Sequence, residues 1–228
     1  DEEDFFEGNL AGIIQRIGDK ARWGNIWFNR NWSTTTNGGR LENVINSDIM
    51  DLVHNLELEP GIGNTPLAET FYVALQYFRQ EGLAAPGYPS DSLDINSLGV
   101  GTYKDPFWSQ ESYDATGDGF IECAKTFVLF LTDGQPTRDG MIPAEFQDYD
   151  GDGHSNDSCT DCGSNALDDL ALWAHVNDIR SDTELPGDQT ITLYTVYAFD
   201  DNDTARQLLK DAARNGGFED ITGGTPDR

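Results

Sequence analysis

A chain of 228 residues suits one large α/β domain, and a hydrophobic content of 37% is enough to bury a core. Its 41 Asp and Glu against 14 Lys and Arg give a formal charge of −27, a surface that repels phosphate backbones and excludes ordinary nucleic-acid binding while concentrating cations. No stretch reaches the ~20 consecutive apolar residues of a membrane span, so no membrane insertion is expected.

The chain opens DEEDFFEGNL, with neither Met, basic n-region nor apolar h-region, and is expected to be a processed or excerpted piece. Over residues 8–21 the apolar positions Leu10, Ile13, Ile14 and Ile17 recur at helical spacing. Residues 23–28 (WGNIWF) and 41–45 predict short strands, separated by a polar turn. Ile49–Leu58 predicts an amphipathic helix ended by Pro60 and Gly61. A second helix is predicted over 65–80 (TPLAETFYVALQYFRQ), with Pro66 in its first turn and Leu67, Phe71, Ala74, Leu75 and Phe78 on one face.

Residues 81–122, rich in Gly, Pro, Ser and Asp, read as a long surface insertion. The run FVLFL at 127–131 predicts a strand buried on both faces of a parallel sheet. A second, acidic insertion spans about 137–166. Helical periodicity returns over 167–179, a β-branched and aromatic strand follows over 190–199, and a last helix over 205–214 ends at Gly216 and Gly217. Strands alternating with helices predict a doubly wound, mostly parallel α/β sheet, whose ligands bind at the carboxyl ends of the strands.

Chemistry-bearing residues fall just after strands. The segment FVLFLTDGQPT presents Thr132 and Asp133 at a strand's carboxyl end, where Asp133 is either a cation ligand or the cap of a turn. Thr65, in GIGNTPLAET, is the expected N-cap of the 65–80 helix, with Glu69 in its first turns. In QDYDGDGHSND, Asp148, Asp150 and Asp152 alternate and Gly153 follows, as in the first half of an EF-hand loop. Carboxylates so spaced converge on one Ca²⁺. Cys159 stands where that loop carries its bidentate Glu, and Asp168 or Asp169 is expected to complete the shell. A further acidic stretch, DATGDG at 114–119, has a poorer pattern.

Cys159 and Cys162 form a short CTDC pair in a polar loop, with Cys123 ahead of a strand. A zinc site needs a second pair, and a thioredoxin-like motif sits at a helix start, so a disulfide between two of these three is expected, with one thiol free, in an oxidising compartment. His54, His154 and His175 have no nucleophile or acid–base setting around them, and no phosphate-cradling loop occurs. The chain is therefore expected to be non-catalytic.

The G-x-TPL-x-E helix opening together with the strand ending in TDG resembles the von Willebrand factor A domain. That resemblance implies a metal-ion-dependent adhesion site in which Thr65 and Asp133 hold Mg²⁺ or Mn²⁺, leaving a position for a partner's carboxylate. The family's central strand, ending in D-x-S-x-S, has no counterpart here; it is expected upstream or from a separate segment.

A narrower resemblance rests on LAETFYVALQYF, CAKTFVLFLTDGQPT, the DYDGDG insertion, LDDLALWAH, TVYAF and LLKDAARNGGFED. Over roughly residues 9–222 the chain is similar to the A domain of PilY-type type IV pilus tip proteins. This implies one domain over 1–222, the start of a linker at 223–228 toward a missing C-terminal region, and an extracellular, pilus-associated role. The implied partners are pilus subunits or a surface ligand. A structural subunit or cleaved fragment of a surface assembly, with calcium serving stability only, is the alternative.

Overall fold

The computed structural model describes residues 12–28, 38–59, 61, 63–81, 105–109, 119–121, 123–153, 163–180, 185–199 and 201–217. Among these, α1 (Ile13–Ile17) runs into a 3-10 turn at Gly18–Lys20 and leads to β1 (Asn25–Phe28) and β2 (Gly39–Asn43). Next come α2 (Ile49–Leu58), α3 (Leu67–Arg79), β3 (Thr126–Thr132), α4 (Ala166–Val176), β4 (Ile191–Tyr197) and α5 (Asp203–Asn215).

Local chemistry sets the boundaries. Asp48 caps α2, its Oδ1 accepting the Met50 N–H at 2.7 Å. α3 ends where Gln80 turns left-handed at φ 55° and its N–H meets the Tyr77 carbonyl. α5 starts at Asn202, whose side chain accepts the Ala205 N–H at 3.0 Å. Ala205, Leu208, Leu209 and Ala212 make the buried stripe of α5. At its end Gly216 lies so near β4 that an added Cβ would come within 2.6 Å of the Leu193 side chain.

The protein is mixed α/β. The described residues form two two-stranded sheets. β1 and β2 are antiparallel, while β3 and β4 are parallel with Leu129 opposite Tyr194. α3 packs on β1 and β2, α5 packs on β4, and α4 lies beside both α3 and α5. Phe28 stacks on Phe130 at 6.2 Å, and Phe71 meets the same ring at 6.1 Å, so one aromatic group joins the two sheets.

Three expectations are corrected by burial. β3 is not covered on both faces: Phe127, Leu129 and Leu131 are 54%, 61% and 66% exposed, while Thr126, Phe130 and Thr132 point inward. Period-two alternation therefore governs this all-apolar run. Residues 81–122 are not wholly a surface insertion, since Phe107 and Trp108 lie in the core and Trp108 bridges to Phe120. The segment 137–166 likewise sends Ile142 and Phe146 into the core, with Phe146 edge-on to Trp173 at 5.0 Å.

Candidate metal centre and the rim of the parallel sheet

The acidic loop after the 3-10 turn at Ala144–Phe146 brings Asp148, Asp150 and Asp152 together. One oxygen from each lies within 4.8 Å of the others, and all three side chains are exposed. Gly151 and Gly153 take φ of 76° and 83°, the left-handed turns this tight loop requires. Asp148 Oδ1 accepts the Gly153 N–H at 2.7 Å, and Asp150 Oδ1 accepts the Asp152 N–H at 3.0 Å. Asp150 Oδ2 also accepts from Asn215 Nδ2 at the end of α5.

The two carboxylates expected to finish the shell have different surroundings. Asp169 holds the loop's backbone: Oδ2 accepts the Asp148 N–H and Oδ1 the Asp150 N–H, each at 3.0 Å. Asp168 is buried, and its Oδ1 has no hydrogen-bond partner. Burial first, then the charges of Asp169, Asp150 and Asp152, push its carboxyl up to about 7. The charges of Asp150 and Asp152 act on Asp168, but among the described residues the converging ligand oxygens are those of Asp148, Asp150 and Asp152, without Asp168 or Asp169; an all-oxygen set of this kind suits a hard cation. The cluster can hold a metal ion.

At the carboxyl end of β3 lies the TDGQPT turn. The Thr65 N–H donates to Thr137 Oγ1 at 2.8 Å, and the Thr137 N–H donates back to the Thr65 carbonyl at 3.0 Å. This reciprocal pair ties the opening of α3 to the turn that carries Asp133, which is exposed. Thr65 is not the cap expected of it, because Pro66 occupies the N-cap position without a side-chain bond. Asp139, fully buried, reaches across from the same turn and accepts the Ala68 and Glu69 N–H groups at 2.9 and 2.8 Å. Thr65 and Asp133 contribute two side chains, fewer than the six oxygens or more that a hard cation takes.

Asp139 escaped the sequence reading, and no local motif links it to residues some seventy positions away. Burial pushes its carboxyl up to about 8, the Ala68 and Glu69 amides acting against that rise and the Glu69 charge adding to it. Glu69 is itself fully buried; its Oε2 accepts the Gly38 N–H and its Oε1 the Met141 N–H. Arg180 and Asp105 were missed as well: they form a fully buried ion pair at 3.0 Å between the first insertion and the end of α4.

Cys123 is exposed, at φ 58°, and forms no disulfide with a described cysteine. Cys159 and Cys162 lie outside the described residues, as do His154, residues 114–118 of the DATGDG stretch and residues 223–228. His54 is exposed, and His175 lies with its ring against Gly217. No described helix is long and apolar enough to cross a membrane.

A mixed α/β domain with an acidic, cation-ready loop and a Thr–Asp rim at a parallel strand's end is the class these observations define. The family model described as PilY1 homolog, second domain, matches residues 4–186, and the chain belongs to that family. No curated protein and no solved structure matches it.

Proposed function

We propose that this chain is a von Willebrand factor A-type, metal-binding module of an extracellular pilus-associated protein, acting in adhesion or pilus assembly and not in catalysis. The observation that carries the reading is the reciprocal Thr65–Thr137 bond pair, which couples the helix-opening Thr to the Asp133 turn at the end of β3. Family membership supports the pilus association, since the matching domain is that of PilY1 homologs.

In this reading Thr65 and Asp133 would hold Mg²⁺ or Mn²⁺ at the rim and leave a position for a carboxylate of a pilus subunit or surface ligand. Two side chains leave the remaining oxygen positions of such an ion to other ligands and water. Asp148, Asp150, Asp152 and Asp168 would hold Ca²⁺, with Asp169 positioning the loop. When bound, that cation offsets the mutual repulsion of the carboxylates and fixes the loop against α4.

A second reading makes the protein a structural subunit with calcium serving stability alone. It is favoured by the converging carboxylates of Asp148, Asp150 and Asp152, which form a metal-capable cluster away from the rim. Binding of the Asp133→Ala protein to isolated pili in Mg²⁺ separates the two. Lost binding with an unchanged melting temperature supports the adhesion site, and wild-type binding by this variant supports the structural reading.

A further inference from the structure

Two asparagines at helix ends hold the acidic loop. Asn215, the last residue of α5, donates from Nδ2 to Asp150 Oδ2 at 3.0 Å. Asn177, just past the end of α4, donates from Nδ2 to the Tyr149 hydroxyl at 3.0 Å. The bonds are equal in length and reach adjacent residues, but of the two only Asn215 touches a carboxylate of the converging cluster.

Asp150 is fixed on both of its oxygens. Its Oδ1 accepts the Asp152 N–H at 3.0 Å and its Oδ2 accepts from Asn215, so the plane of the carboxylate is set. The orientation held in this way is the one that ligation needs. Oxygens that share one Ca²⁺ at up to ~2.6 Å stand no more than about 5.2 Å apart. One oxygen each of Asp148, Asp150 and Asp152 already lies within 4.8 Å of the others. A separate feature also points to a cation: Asp168, buried with one oxygen lacking a hydrogen-bond partner, lies within the field of Asp150 and Asp152.

Asn215 is itself rigidly placed. The carbonyl of the next residue, Gly216, accepts the Leu193 N–H of β4 at 3.0 Å, and Gly216 sits so near Leu193 that no side chain fits there. A neutral amide suits the position, because it donates to the carboxylate without a positive charge that would repel a cation.

We infer that Asn215 is a positioning residue of the cation site and couples that site to the end of α5. The inference rests on the reading of the acidic loop as a Ca²⁺ site and extends it to a residue 65 positions from Asp150. Outer hydrogen bonds of this kind orient ligating carboxylates, and losing one costs about 10–100-fold in metal affinity. The coupling is reciprocal: by whatever factor the Asn215 bond favours the ion, the ion favours that bond. Ca²⁺ therefore fastens the last turn of α5 as well as the loop.

Calorimetric titration with Ca²⁺ and hydrogen exchange of the full chain, as wild type, Asn215→Ala and Asn177→Ala, test this. Wild type is expected to bind Ca²⁺ and, on binding, to slow exchange at Gly216 and Gly217 as well as across the loop. Asn215→Ala should bind about tenfold more weakly with its metal-free melting temperature unchanged, and should lose the slowing at the end of α5. Asn177→Ala removes the other loop anchor and should leave the affinity unchanged. Equal weakening by both variants, or wild-type affinity in Asn215→Ala, overturns the inference and leaves the Ca²⁺ reading standing. No Ca²⁺ uptake by wild type overturns that reading and the inference with it.

Discussion

Asp168 and Asp169 are neighbours in the first turn of α4, yet Asp169 holds the acidic loop while Asp168 keeps a buried oxygen without a hydrogen-bond partner. Asp169 spends its oxygens on the Asp148 and Asp150 amides, whereas Asp168 Oδ1 is buried with no partner. Asp169→Ala should therefore destabilise the protein by about 1–3 kcal/mol even without metal, because two loop amides lose their acceptor. Asp168→Asn should leave the metal-free protein as stable or more so, since it removes a charge from a repelling cluster, but should weaken calcium binding at least about tenfold. Urea denaturation in EDTA and calorimetric titration with Ca²⁺ check the two halves of this split.

Removing the cation should loosen one segment selectively. Unscreened, Asp148, Asp150 and Asp152 repel each other within a 4.8 Å cluster. Chelation is expected to raise hydrogen exchange and protease cleavage across residues 147–169, with α3 unchanged. Equal cleavage of that segment with and without chelator would count against a cation there.

Asp139 makes stability depend on pH. Its carboxyl is held at about 8 in the fold against an ordinary value of 3.8. Between those values the folded protein binds the extra proton. Its contribution to stability is therefore fully present below about pH 4, falls as pH rises, and is lost above about 8. Asp139→Asn should flatten this slope in urea midpoints taken at pH 5, 7 and 9. Asp139→Ala should cost about 1–3 kcal/mol throughout, because the Ala68 and Glu69 amides lose their cap.

The buried Arg180–Asp105 pair offers a test of the core. Arg180 also donates to the Phe78 carbonyl at 3.0 Å, so it fixes the end of α3 as well as the first insertion. Arg180→Met strands the Asp105 carboxylate and should cost about 3–5 kcal/mol, whereas replacing both with apolar residues should cost less. Chemical denaturation of the single and double variants measures the difference.

Local signals in the chain located most of the elements and the acidic loop. Alternating aspartates followed by Gly153 are a contiguous motif, and helical spacing in LAETFYVALQYF spans a whole helix; both survive folding intact. Long-range contacts were not legible. Asp139 caps α3 from a position seventy residues away, and Phe107 and Trp108 lie in a Gly- and Pro-rich stretch that reads as surface. The run FVLFL misled for a physical reason: five apolar residues fit a strand covered on both faces, and only the fold reveals that one face is open. Thr65 looked like a cap because Thr is a favoured cap residue, whereas the first-turn amides go to Asp139.

Native mass spectrometry of the full chain titrated with Ca²⁺ tests whether the Asp148–Asp150–Asp152 loop, with Asp168 behind it, takes up a cation. A tightly retained ion is expected, lost in Asp168→Asn and in Asp150→Asn, with both variants folded. Retention of the same ion by both variants, or no specific uptake at millimolar Ca²⁺, would contradict this expectation.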